Sequence, residues 1–224
     1  MKTVVWDFNG VVVDDIEAHR MATNAALDLF DTPQRLYTID DARRATTVPY
    51  AHGFMALGVT QADLMARIGD VDVAYHDAYL QSPQAFVPRK GIPETLALIR
   101  KQGWKNVILS NTRRDILNIQ LERMGLDASF DWISTSDQRS ETGIKLNKTE
   151  RLHSFFNTQA NHKTGFIIGD STEEIDVARA MGLQSIAVLG GWFDETRLTE
   201  KAPDYMVDCT SRIASVLKQN GLNL

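Results

Sequence analysis

Several things are scarce in this sequence, and each shortage removes a class of protein. One cysteine, Cys209, stands among 224 residues, so no disulfide can close within the chain; a reducing compartment, and a cytoplasmic protein, is the expectation. Positive charge is in deficit. Lys and Arg total 24 against 29 Asp and Glu, a net charge of −5, which is the wrong sign for holding phosphate backbones and argues against a nucleic-acid partner. No apolar run approaches the roughly 18 residues of a membrane-spanning helix, and the trio Val4, Val5 and Trp6 is too short for the apolar region of a signal peptide, so no membrane association is expected. There is no internal repeat and no low-complexity tract. What is present is an ordinary globular composition, 43% hydrophobic and 24% charged, in a chain long enough to bury about 70% of its unfolded surface.

Short apolar runs rich in β-branched residues end in small or acidic residues, and a helical pattern follows each of them. That alternation predicts an α/β fold with a doubly wound, Rossmann-like parallel sheet. The expected strands are residues 3–7, 106–110, 131–135, 164–170 and 184–189. Stripes at Ile116, Leu117, Leu121 and Met124, closed by Gly125, and at Ile175, Ala178 and Met181, closed by Gly182, predict crossover helices. Asn147 followed by Glu150 reads as a capping box that opens a helix carrying Leu152, Phe155 and Phe156. The rhythm breaks once, where about 90 residues separate the first two strands. Helical spacing of Ala18, Met21, Ala22, Ala25 and Leu29, and of Leu64, Ile68, Val71, Tyr75 and Tyr79, predicts an inserted α-helical cap. The division is therefore a core of residues 1–14 and 88–224 and a cap of residues 15–87. Residues 190–203 read as a loop and 211–222 as a closing helix.

In such a sheet functional groups collect at the carboxyl ends of the strands. Asp7, Ser110 and Asp170 stand there. Asn9 shares a side of the extended chain with Asp7, Gly10 permits a sharp turn, and Glu174 lies one helical turn beyond Asp170. Asp7 with the two later carboxylates would hold a hard cation.

The ordered set Asp7-Phe8-Asn9-Gly10, Ser110-Asn111, Lys145 and Gly169-Asp170 with Glu174 resembles the haloacid-dehalogenase superfamily, in its phosphatase branch with a helical cap. The resemblance implies that the first strand lies beside both the second and the fourth. It implies Asp7 as a nucleophile forming an aspartyl-phosphate, and Mg2+ held by Asp7, Asn9 through its backbone carbonyl, and Asp170, with Glu174 alongside. It implies Ser110 and Asn111 donating to the phosphoryl oxygens, and Lys145 neutralising their charge. Lys148 is the rival to Lys145, which is preferred for its place in the loop before the Asn147 cap. The implied substrate is a small phosphorylated metabolite, with phosphoglycolate the family default.

One departure matters. Position 9, usually a second Asp that passes protons to and from the leaving oxygen and the water, is Asn. A carboxamide exchanges no proton near neutrality, and such assistance is worth roughly 10²–10⁴ in rate. The expectation is a phosphatase weakened on alkyl esters and less affected on aryl or acyl phosphates; the alternative is an impaired homologue that binds without turnover. Asp14 and Asp15 read as solvated acids at a helix start. Between Lys2 and Lys90 there is no lysine, which removes the Schiff-base chemistry of phosphonate-cleaving relatives. Arg43 and Arg44, beside the Thr46–Pro49 turn, are the cap candidates for gripping a second anionic group.

Overall fold

A computed structural model describes residues 2–138, 147–158 and 165–221. The chain opens on β1 (Thr3–Trp6) and passes into an all-helical stretch: α1 (Ile16–Leu27), α2 (Ile39–Ala45), α3 (Ala51–Ala56), α4 (Gln61–Ala66) and α5 (Ile68–Gln81). It returns through a 3₁₀ turn at Pro83–Phe86 to α6 (Ile92–Lys101) and β2 (Lys105–Leu109). From there helices and strands alternate: α7 (Arg114–Met124), β3 (Trp132–Ser134), α8 (Lys148–Thr158), β4 (Gly165–Gly169), α9 (Thr172–Met181) and β5 (Gln184–Val188). The end is α10 (Glu195–Glu200), β6 (Tyr205–Val207) and α11 (Ile213–Gln219).

All five pairings are parallel and the sheet order is β3-β2-β1-β4-β5-β6, so β1 lies between β2 and β4 as the resemblance implied. Strand alternation assigns the helices to faces. Val4, Trp6, Ile108 and Ile168 pack with Leu96 of α6, Leu117 of α7 and Leu217 of α11 on one side. Val5, Val107, Leu109 and Ile167 meet Leu152 and Phe155 of α8 and Val177 of α9 on the other. Burial on both faces is why Val4, Val5 and Trp6 of β1 can be apolar in succession.

The two crossings between sheet and helical insert run side by side. Val13 bridges Pro88, and Asp14 N–H donates to Val87 O at 2.8 Å. Within the insert α1 packs on α5, and Ala26 and Leu27 share a cluster with Phe54, Val59, Leu64 and Val71. The expected α1 stripe is off by part of a turn, since Met21 is 48% exposed while Ala26 and Leu27 are buried.

α6, α10 and β6 were not named from the sequence. Residues 190–203 hold α10 as well as loop, and β6 extends the sheet by one strand. Each is short, α10 with one buried apolar residue, Leu198, and β6 with three residues, too few to set a period. No described helix is long and apolar enough to cross a membrane.

Candidate active site

Asp7 follows the last residue of β1, and its backbone N–H still donates to Ile168 O of β4 at 2.8 Å. Its Oδ1 accepts from Lys148 Nζ at 3.0 Å. Lys148 opens α8, where the capping box is present in both directions: Asn147 N–H to Glu150 at 2.8 Å and Glu150 N–H to Asn147 Oδ1 at 2.9 Å. The capped first turn aims Lys148 inward, its side chain 3% exposed, onto Glu174 as well as Asp7, with Glu173 at 3.5 Å. Burial works against the ammonium, but the charges of Asp7, Glu174 and Glu173 outweigh it and hold its pKa above the ordinary lysine value. Burial raises the Asp7 carboxyl above its usual range against the opposing charge of Lys148.

Asp170, just past β4, is 2% exposed. Its Oδ2 accepts from the backbone N–H of Trp192 at 2.5 Å, and burial, then the charge of Asp7, pushes its pKa well above the carboxylate range. The turn after Asp7 must pass close by: a Cβ on Gly10, at φ +73°, would lie 2.0 Å from Asp170 Oδ2. Oxygens of Asp7, Asp170 and Glu174 lie within 4.8 Å of one another. Glu174 is committed on both oxygens, one to Lys148 and the other to Ser171 Oγ at 2.5 Å. An all-oxygen donor set with more buried acid than cation fits a hard divalent ion.

Ser110 and Asn111 follow β2. Arg151 of α8, 2% exposed, fixes them by donating to Ser110 O at 2.7 Å and to Asn111 Oδ1 at 2.8 Å. Ser110 Oγ accepts from Thr112 N–H at 3.0 Å, and Asn111 Nδ2 donates to Glu173 at 2.8 Å. The Asn9 carboxamide is also spoken for: Oδ1 accepts from Thr112 Oγ1, and Nδ2 donates to Asp15 Oδ2 at 2.6 Å and to Tyr79 Oη at 2.8 Å.

Asp15 corrects the sequence reading. It is fully buried, whereas its neighbour Asp14 is exposed. Besides Asn9, it accepts from Tyr79 Oη at 2.5 Å, Gly10 N–H at 2.8 Å and Trp192 Nε1–H at 2.7 Å. Burial raises its pKa and these neutral donors oppose the rise. Its partners lie as far as 177 positions away, so local sequence carries no sign of them.

Asp7, Asn9, Ser110, Asn111, Lys148 and Asp170 line one cavity of about 760 Å³ between sheet edge and insert. Lys145 lies outside the described residues; the ammonium at Asp7 belongs to its rival Lys148, because the Asn147 cap turns that side chain inward. Neither Arg43 nor Arg44 is among the residues lining the cavity. The Thr38–Asp41 capping box orients α2 so that Arg44 pairs with Asp41. Arg43 pairs with Asp40 and donates to the carbonyls of Gly191 at 3.0 Å and Gly190 at 3.1 Å. The guanidinium on the cavity is Arg113, paired with Asp72 of α5 and Asp115. Thr112, Arg113 and Arg151 were missed; the first two follow directly on Ser110-Asn111, which was the available signal.

The comparisons with known proteins agree with this geometry. A phosphoglycolate phosphatase of Synechococcus elongatus is 26% identical over 227 residues, covering 98% of each chain. One from Pseudomonas putida is 22% identical, covering 92% of this chain and 76% of that one. Among solved structures, a haloacid dehalogenase-like family hydrolase from Streptococcus pneumoniae superposes with a TM-score of 0.76 at 16% identity, covering 96% and 97%. A hydrolase from Pseudomonas syringae gives 0.73 at 18%, covering 98% and 99%. Those two likenesses show the fold. The family model described as Haloacid dehalogenase-like hydrolase matches residues 4–188, from β1 through β5 and so across every residue gathered at the cavity floor, and the chain belongs to that family.

Proposed function

We propose that the protein is a magnesium-dependent phosphatase that hydrolyses a small phosphorylated metabolite through an aspartyl-phosphate on Asp7. The observation that carries the reading is the floor of the cavity, where the Asp7 carboxylate has a buried ammonium at 3.0 Å and a second buried acid, Asp170, beside it. The relatives named phosphoglycolate phosphatase support a phosphomonoester as the substrate class. In this reading residues 1–14 and 88–224 form the core that carries the chemistry and residues 15–87 the cap that covers it.

Each side chain has a task. An Asp7 oxygen attacks phosphorus and the ester oxygen departs with the bonding pair; water then attacks the same phosphorus and frees the carboxylate. Lys148 balances charge between Asp7 and the incoming anion, and Glu174 holds that ammonium in place. Ser110, fixed by Arg151, faces the phosphoryl oxygens. Mg2+ would be held by Asp7, the Asn9 carbonyl and Asp170, and when bound it offsets the repulsion between two anions. Asn9 supplies no proton. The intact set of Asp7, Lys148 and Asp170 favours turnover over binding alone.

Phosphate release from acetyl phosphate and p-nitrophenyl phosphate, with Mg2+ and after chelation, tests the proposal. Release that requires the metal is expected. Absence of release from both, with metal present, overturns it.

A further inference from the structure

We propose that the substrate is the phosphate ester of a phenol-type, apolar aromatic ring without a second anionic group. The inference rests on the phosphatase reading and names the substrate class of that site.

Three observations converge. The first is room: about 760 Å³ lies in the middle of the range of ligand pockets, several times what a two- or three-carbon phosphate fills. The second is the wall facing the chemistry, where the insert presents Tyr50, Phe54, Leu57, Val71 and Tyr75. Two further lining rings are stacked: His19 lies on Trp192 with centroids 3.9 Å apart and planes 18° from parallel. His19 is neutral, since burial holds its pKa down to about 3, and its two nitrogens are occupied by Tyr75 Oη at 2.7 Å and Thr46 Oγ1 at 2.8 Å. Flat apolar surface beside flat rings suits an aromatic guest.

The third is how the cations are committed. Among the described lining residues, Lys148 and Arg113 carry permanent positive charge. Lys148 is held by Asp7, Glu173 and Glu174, and Arg113 by Asp72 and Asp115. A carboxylate on the substrate would meet Arg113 in competition with Asp72 and Asp115, and would lose its own water beside an apolar wall.

The missing acid fits the same class. When Asp7 attacks phosphorus and the P–O bond to the ring breaks, the electron pair leaves on a phenolate that its ring delocalises, so Asn9 need donate nothing. Water then attacks the phosphorus, Asp7 is regenerated as carboxylate, one water proton stays on the phosphate and the other ends on the phenolate oxygen.

The test uses the full chain with Mg2+ and four probes: 2-naphthyl phosphate, phenyl phosphate, phosphoglycolate and acetyl phosphate. The two aryl esters have similar leaving groups and differ in apolar area. Expected is a kcat/KM at least fivefold higher for naphthyl than phenyl, and at least a hundredfold higher for naphthyl than phosphoglycolate. Phosphoglycolate equal to phenyl phosphate, or naphthyl below phenyl, overturns the inference. Acetyl phosphate separates the two levels: if it is hydrolysed without any aryl preference, the substrate class falls and the phosphatase reading stands, and if no probe releases phosphate both fall. Tyr50→Ala, at a 54% exposed side chain, should raise KM for naphthyl phosphate about fivefold and for acetyl phosphate less. An equal rise for both would overturn the assignment of the wall.

Discussion

Two buried acid sites lie one turn of chain apart and are kept in opposite ways. At Asp7 the carboxylates of Asp7, Glu173 and Glu174 crowd the Lys148 ammonium and Asp170 lies beside them, so among the described residues negative charge is left over. At Asp15 four neutral donors close round a single carboxylate, and among the described residues it makes no ion pair. The first arrangement is unfinished without another cation, as a site that works on anions should be. The second is complete, and it joins three segments: the turn after β1, α5 of the insert and the loop after β5.

The largest break of this contrast is at Asp7. Asp7→Asn keeps the shape and removes the proposed nucleophile, and kcat should fall about 10³-fold or more in phosphate-release assays. Next comes Lys148. Lys148→Met leaves the buried acids uncompensated and should lower unfolding free energy by about 3 to 5 kcal/mol in urea titration, with Mg2+ restoring part of it. Removing the cation of an exposed pair such as Arg44–Asp41 should leave the urea midpoint unchanged.

Asn9 sharpens the comparison because it stands between the two sites. Asn9→Asp replaces a donor to Asp15 at 2.6 Å with an acceptor, so two carboxylates would face each other. The single variant should be destabilised by about 1 to 3 kcal/mol and gain little on alkyl phosphates. Asn9→Asp with Asp15→Asn restores the hydrogen bond with donor and acceptor exchanged. That double variant should recover stability and raise alkyl phosphate hydrolysis at least about tenfold. A smaller effect is expected from Tyr79→Phe, which removes one of four donors to Asp15 and should cost about 1 kcal/mol on thermal or urea unfolding.

The contrast also explains what could be read from sequence. The parallel sheet followed from period, and Asp7, Ser110 and Asp170 were legible as strand-end residues, whereas the order that sets β1 between β2 and β4 and so brings the three together was what the resemblance implied. The Asn147–Glu150 box was readable because both partners are three residues apart. The same box decides between Lys145 and Lys148 only through the direction of one side chain, which no spacing reports. Asp15 was hidden for a related reason. Ile16 to Leu27 begin a helix, an acid before a helix is usually solvated, and the donors that bury this one come from Tyr79 and Trp192. Arg43 and Arg44 looked available because sequence shows neither the pairing of each with the acid three residues before it nor the carbonyls of Gly190 and Gly191 that Arg43 holds.

Arg43 has a mechanical consequence. Its guanidinium grips the carbonyls of Gly190 and Gly191, and the next residue's amide holds Asp170. A swing of the helical layer away from the sheet must therefore snap those two bonds or pull residues 190–192 along with it. In the second case the tension arrives at the acid beside the nucleophile, which makes opening and loosening of the reactive floor a single movement.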